Sequence, residues 1–158
     1  MENLLVSACL LGVCCKYSGG ANTLPESALA RLRERYRLIP VCPETAGGLP
    51  VPREPSERRG RFVVTRGGSD VTEAFRRGAQ TALLLGEIFG CRAALLKENS
   101  PSCGVHAVYD GSFSHNRLSG QGVCAALLAQ HGIRLYSEKD MTEELLEKLL
   151  EEDKDSRQ

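Results

Sequence analysis

The sequence predicts an α/β fold: a three-layer α/β/α sandwich built on a mostly parallel, Rossmann-like sheet. Three short apolar runs, at residues 4–6, 38–41 and 93–96, have the length and composition of buried strands. Helical patterns separate these runs, and such alternation favours a parallel sheet covered on both faces. The 158 residues suit one domain, which we place at residues 1–152, with a frayed tail at residues 153–158.

A helix joins the first two strands. Pro25 stands near its start, leucines recur at helical spacing, and the pattern ends near Arg35. The second strand then leads directly into Cys42. The prolines of residues 47–60 predict an irregular, mobile loop that could cover a site, and residues 62–65 predict a short strand.

A long helix comes next. Asp70 or Thr72 can cap its start, and the helical pattern continues to about Gly90. Its inward stripe is predicted to consist of Val71, Phe75, Ala79, Ala82, Leu83 and Ile88. Beyond the third strand we predict a helix at residues 120–131, a strand at residues 133–136 and a closing amphipathic helix at residues 141–152.

Composition limits the possible partners and compartments. Lys plus Arg and Asp plus Glu number 20 each, so no overall field attracts polymeric nucleic acid or anionic lipid. The first residues lack a basic leader, and no apolar run is long enough to span a membrane. We therefore expect a soluble cytoplasmic protein. Seven cysteines in such a chain favour metal binding or catalysis over disulfides.

Three of the cysteines are predicted to meet at one edge of the sheet. Cys9, Cys42 and Cys103 each lie in a loop that follows a predicted strand. Ligands of open parallel sheets bind outside the carboxyl ends of the strands, because the loops converge there. Three converging thiolates would repel one another, and a metal centre removes this penalty by accepting their charge.

Several explanations of these cysteines remain open. Zinc would need a fourth ligand, for which His106 is nearest, but the sequence lacks the paired C-x-x-C knuckles of structural zinc sites. A 4Fe-4S cluster with three protein thiolates instead leaves one iron open to a substrate. Cysteines also pack as small apolar side chains, which suits Cys91 and Cys124 best. Cys14 and Cys15 share the first loop, and Cys15 is kept as an additional candidate ligand.

Polar residues close to these cysteines can move protons. Glu44 follows the second cysteine by two residues, so its carboxylate can reach the same site as a general base, or else cap a helix. Ser100 and Ser102 flank a proline just before the third cysteine, and we favour Ser100 for function and Ser102 for the turn. Lys16 and Tyr17 are candidates for contact with a substrate ring or carbonyl oxygen.

Nine short motifs occur in an order that resembles one bacterial family. They are Ser7-Ala8-Cys9-Leu10-Leu11-Gly12, Cys15-Lys16-Tyr17-Ser18-Gly19-Gly20, Pro40-Val41-Cys42-Pro43-Glu44, Gly47-Gly48-Leu49-Pro50, Gly68-Ser69-Asp70-Val71-Thr72, Leu96-Lys97-Glu98, Ser100-Pro101-Ser102-Cys103-Gly104, Tyr109-Asp110-Gly111 and Gly120-Gln121-Gly122-Val123. Long catalogued as a domain of unknown function, the family has characterised members that are iron–sulfur-dependent thiouracil desulfidases. The chain departs from the family pattern at Ser18, where aspartate is usual, and at Thr45, where a longer amide is common.

The resemblance implies a function and a set of site residues. The reaction would convert a thiouracil to uracil and sulfide without net redox change, on a small thiolated pyrimidine or related thioamide. Cys9, Cys42 and Cys103 match the ligands of the 4Fe-4S cluster, and Glu44 and Ser100 match the residues with acid–base roles.

Two other functions are compatible with the same cysteines. A cluster or zinc protein could carry or sense sulfur without turnover, although Glu44 and Ser100 beside the ligands argue against this. A cluster-free enzyme could use one cysteine as its nucleophile, with Glu44 or a histidine as the base.

Overall fold

The computed structural model describes residues 1–142 and residue 147. Its strands and helices, in chain order, are β1 (Glu2–Ser7), α1 (Glu26–Arg35), β2 (Tyr36–Val41), α2 (Pro43–Ala46), β3 (Ser56–Arg59), β4 (Phe62–Thr65), α3 (Thr72–Ile88), β5 (Ala93–Leu96), β6 (Ala107–Tyr109), β7 (Arg117–Ser119), α4 (Val123–Gln130) and β8 (Arg134–Ser137). Nearly all of the predicted closing helix at residues 141–152, and the whole tail at residues 153–158, lie outside the described residues.

The main sheet contains the four predicted strands, three from the apolar runs and the fourth from residues 133–136. Its order is β2-β1-β5-β8, and all three neighbouring pairs are parallel. The chain runs from β1 outward to β2 and then returns past β1 to β5. The direction of winding therefore reverses between β1 and β5, which is where such sheets form a ligand crevice.

Two cores cover the two faces of this sheet. Along β1, Leu4 and Val6 pack on the side of α1 with Leu32, whereas Leu5 packs on the opposite side with Ala82 of α3 and Leu128 of α4. This alternation follows from the two-residue period of a strand. The predicted three-layer α/β/α sandwich is confirmed.

The stripe predicted for α3 is wrong at its end. Phe75, Ala79 and Ala82 are buried as expected, but Ile88 is 65% exposed. Gly86 carries the buried face there, since a Cβ on it would lie 3.2 Å from Ile133 Cδ1. Ile88 is two residues further, about 200° around the helix, and so faces outward.

Helix α4 begins at Val123, three residues later than predicted. The preceding residues make backbone hydrogen bonds to another loop instead of helical ones, which explains why α4 begins later. The Gly120 N–H donates to the His106 carbonyl at 3.0 Å, and the Gly122 N–H donates to the Gly104 carbonyl at 2.9 Å. These donors hold the segment against the loop that contains Cys103.

The irregular loop predicted for residues 47–60 is wrong at residues 56–59. Ser56–Arg59 forms β3, which pairs antiparallel with β4 in a separate hairpin. Gly60 occupies the turn at a φ of +60°, as a two-residue hairpin connection requires. The Ser-Glu-Arg-Arg sequence has no apolar alternation, so only its partner strand identifies it as β structure. A second hairpin, β6–β7, was also not predicted.

Candidate active site

A cavity of about 360 Å³ opens at the carboxyl ends of β1, β2 and β5. Cys9, Cys42 and Cys103 all line it. They reach it from three separate segments of the chain, since one follows β1, one follows β2 and one lies in the loop after β5. The structure thus brings together the three cysteines that the sequence places at one sheet edge.

Local structure fixes each cysteine. Cys9 lies in the 3-10 turn Ala8–Leu11 directly after β1, and its carbonyl accepts the Asn22 N–H at 2.9 Å. Cys42 is the residue just before α2, whose proline at the first position suits a helix start. The Cys103 N–H donates to Ser100 Oγ at 3.1 Å.

Two glycines allow the supporting helices to approach these loops. A Cβ on Gly78 of α3 would overlap the carbonyl of Pro43 at the start of α2, immediately after Cys42. A Cβ on Gly122 would overlap the backbone of Ser102 and Cys103. Only glycine fits at either contact, so backbone packs directly against the two cysteine loops.

The cavity thiols have perturbed acidities. Burial raises the pKa of Cys103 to about 12, and burial with its neighbour Cys42 raises the pKa of Cys15 to about 12. The pKa of Cys9 is also raised, chiefly by burial, although a hydrogen bond with Asn22 lowers it in part. These thiols are therefore protonated at neutral pH unless a metal centre displaces their protons.

The cysteines do not form a site for a single metal ion. Among residues 1–142 and 147, no three Cys, His, Asp or Glu side chains group closely enough to hold one. His106, the fourth ligand that zinc would need, does not line the cavity. Its Nε2 lies 2.8 Å from Asp140 Oδ2 instead. This geometry argues against the zinc alternative.

Glu44 lies in the first turn of α2, with its carboxylate at the cavity. Its side chain is only 15% exposed. Arg53 Nε donates to Oε1 at 3.2 Å, and Ser102 Oγ donates to Oε2 at 3.0 Å. Both carboxylate oxygens therefore have fixed partners.

The two serines divide their contacts differently from the prediction. Ser100 Oγ accepts the N–H groups of Ser102 and Cys103, so Ser100 organises the turn. Ser102 Oγ lies 2.9 Å from Ser100 Oγ and reaches Glu44 directly. A serine hydroxyl at the start of a turn commonly satisfies following N–H groups, which explains the exchange.

Glu98 anchors the loop that carries Cys103. It is buried, and its Oε1 accepts the N–H groups of Val105, His106 and Ala107 at 2.8, 2.9 and 3.1 Å. Burial alone would raise the pKa of Glu98, but these hydrogen bonds outweigh it and the pKa is lowered. The loop is therefore built around a buried carboxylate anion.

The remaining cysteines fall into two groups. Cys91 and Cys124 are buried in the core between the sheet and helices α3 and α4, as predicted for core side chains. Cys14 is exposed and does not line the cavity. Cys15 is buried and does line it, and its carbonyl accepts the Cys42 Sγ–H at 3.8 Å.

Sequence reasoning identified some cavity residues and missed others. Lys16 and Tyr17 line the cavity, in agreement with their candidacy for ring contacts. Arg53 and Asn22 also line it, but we did not predict them. Arg53 lies in a proline-rich loop and Asn22 in an irregular segment before α1, and neither pattern indicates a tertiary partner.

Comparisons with known proteins identify the family of this chain. The 2-thiouracil desulfurase family matches residues 4–140. The uncharacterized protein YbbK of Bacillus subtilis (strain 168) is 38% identical over 150 residues, which cover 89% of this chain and 98% of YbbK. The solved structure of the 4Fe-4S-dependent thiouracil desulfidase TudS has a TM-score of 0.88 and 46% identity, covering 95% of this chain and 99% of TudS. The resemblance seen in the motifs is thereby confirmed, and the chain belongs to the 2-thiouracil desulfurase family.

Proposed function

We propose that this protein converts a thiouracil to uracil and sulfide, without net redox change, using a 4Fe-4S cluster held by Cys9, Cys42 and Cys103. Family membership and the likeness to TudS support the reaction and the cofactor. The observation that carries the proposal is the meeting of these three cysteines with Glu44 in one cavity.

The residues present fit such a cluster. Three cysteine thiols line the same cavity, and thiolate sulfur is the usual ligand of iron–sulfur centres. The thiols come from three separate loops around the cavity, so each is able to bind a different iron. When bound with three protein ligands, the cluster would supply one open iron that takes the thione sulfur as a Lewis acid.

Glu44 is proposed as the general base. Its carboxylate faces the cavity, where it would take a proton from the water whose oxygen replaces sulfur on the pyrimidine carbon. Ser102 and Arg53 hold the two carboxylate oxygens by hydrogen bonds. The base is thus oriented before the substrate enters.

Ser100 is proposed to hold or relay a proton on the substrate. It lines the cavity, and its hydroxyl lies 2.9 Å from Ser102 Oγ, which in turn lies 3.0 Å from Glu44 Oε2. This continuous series of hydrogen bonds gives a route for a proton between the base and the substrate. Ser102 is the connecting member.

The substrate is proposed to be a small thiolated pyrimidine or a related thioamide. A cavity of about 360 Å³ has the size of sites that bind small molecules. Lys16 and Tyr17 stand at this cavity, where they can contact a ring or a carbonyl oxygen. Equal numbers of acidic and basic residues do not favour polymeric nucleic acid.

We place the protein in the reducing cytoplasm. All seven cysteines are free thiols, as is usual where disulfides are kept reduced. In the part of the chain that the structure describes, no helix combines the length and the apolar character needed to cross a membrane.

Multiple turnover by anaerobically reconstituted protein tests the proposal. With 2-thiouracil or 4-thiouracil, we expect uracil and sulfide to form in equal amounts, many equivalents per chain. A sulfur carrier would stop at one equivalent of sulfide. A cluster-free thiol enzyme would stay active after iron chelation and exposure to air.

A further inference from the structure

Arg53 is a buried cation at the wall of the cavity. Its side chain is only 7% exposed. Besides the bond from Nε to Glu44 Oε1, Nη1 donates to the Pro50 carbonyl at 3.1 Å and Nη2 donates to the Cys15 carbonyl at 2.9 Å. The guanidinium therefore joins the catalytic carboxylate to two separate loops.

We propose that Arg53 is a positioning residue, which holds the Glu44 carboxylate in the orientation that lets it act on the attacking water. This inference rests on the proposed role of Glu44 as the base. Arg53 needs no contact with the substrate for this purpose, because its effect passes through Glu44.

The geometry explains why arginine suits this position. The two carbonyl acceptors fix the guanidinium plane independently of Glu44. The remaining Nε–H then points at one carboxylate oxygen while Ser102 holds the other, so the carboxylate cannot rotate freely. A lysine has one compact ammonium group and cannot bridge three acceptors in a fixed planar arrangement.

Arg77 provides a matched control. Its Nη2 donates to the Gly47 carbonyl at 3.1 Å, at the end of the helix that carries Glu44. Arg77 thus fastens the same segment but makes no bond to the carboxylate. Substitutions at Arg77 therefore measure how activity changes when this segment is held less firmly but the carboxylate keeps its own hydrogen bonds.

The test compares steady-state kinetics and iron content of reconstituted variants. We expect Arg53→Met to lower kcat about 100-fold, the scale of a misplaced catalytic group, while KM changes less than about threefold and iron per chain stays at the wild-type level. Arg53→Lys, which keeps the charge and protects folding, should also lose most of kcat. Arg77→Met should stay within about twofold of wild type, since its contact is remote from the carboxylate.

Two further measurements show whether Arg53 acts through Glu44. In a double-mutant cycle, Glu44→Gln with Arg53→Met should be no slower than Glu44→Gln alone, because residues acting as a unit are not additive. Free guanidinium at millimolar concentration should partly restore Arg53→Ala and leave Arg77→Met unchanged.

Three results would overturn the inference: additive losses in the cycle, equal losses in the Arg53→Met and Arg77→Met variants, or loss of iron from Arg53→Met. Wild-type activity in Glu44→Gln would instead show that the proposed base is wrong. The two failures are therefore distinguishable.

Discussion

Cys103 and Cys124 are both buried, at 4% and 0% exposed, and both belong to the core between the sheet and helices α3 and α4, but only Cys103 also lines the cavity. Cys103 lines the cavity, with its N–H bound by Ser100 and its sulfur 3.6 Å from Ser102 Oγ. Cys124 lies in α4 among the apolar side chains of the core. Burial alone therefore does not separate a candidate ligand from a packing residue. A position in a loop beyond the end of a parallel strand does separate the two kinds of cysteine.

The largest expected effect is on activity, which should distinguish the proposed cluster ligands from the core cysteines. Changing Cys42 to Ala removes a proposed cluster ligand, and we expect sulfide release to fall by about 1000-fold, more than the loss typical of residues that only support a ligand. Cys91→Ala, a core substitution, is the control and should stay within about threefold. Initial rates with 2-thiouracil measure both. Equal rates in the two variants would contradict the proposal that the cysteines at the sheet edge, and not those in the core, bind the cluster.

The second effect concerns the anchor of the Cys103 loop. Glu98→Gln removes the buried anion that three N–H groups share, and we expect a loss of about 2 kcal/mol in the free energy of unfolding at pH 7. Because the pKa of Glu98 is lowered in the folded state, its contribution is present above the ordinary glutamate pKa of about 4.3 and is lost as pH falls through the folded value.

Urea unfolding of wild type and Glu98→Gln at several pH values checks this prediction. The difference between the two proteins should be largest near neutral pH and shrink below about pH 4.3. A difference that does not change with pH would show that Glu98 does not stabilise the loop as an anion.

A smaller effect on stability is expected from a substitution in the core. Cys124→Ala leaves a small cavity in the core, and we expect a loss of about 1 kcal/mol in stability, the scale of removing one buried heavy atom. Cluster content should not change. Denaturant unfolding and iron analysis test both statements, and loss of iron here would assign Cys124 to the site.

The smallest effect is expected at Cys14. Its side chain is exposed and outside the cavity, so Cys14→Ser should change stability by no more than about 0.5 kcal/mol and leave activity intact. A loss of activity would show that the first loop brings Cys14 into the site.

The sequence predicts the sheet better than the cavity wall. Strand β5 was located to the residue and β8 to within one residue, because apolar runs between turn signals are local features. Strand β3 escaped prediction because its polar sequence has no apolar alternation. Helix α2 escaped prediction because it depends on a partner distant in sequence. The packing of α2, for example, requires Gly78 of α3.

The same distinction applies to the site. Cys9 and Cys42 could be placed because each lies within two residues of the end of a strand. The contact of Arg53 with Glu44, and the choice of Ser102 over Ser100 as its second partner, depend on side-chain positions in the folded chain. Local sequence patterns do not encode such contacts.

Iron and acid-labile sulfide per chain, measured after anaerobic reconstitution of single Cys→Ala variants, test the central claim most directly. We expect about four iron atoms per chain in wild type and in the Cys15, Cys91 and Cys124 variants, as for one 4Fe-4S cluster. The Cys9, Cys42 and Cys103 variants should each lose most of their iron. Wild-type iron in any of these three, or an equal loss in the Cys15 variant, would contradict the proposed ligand set.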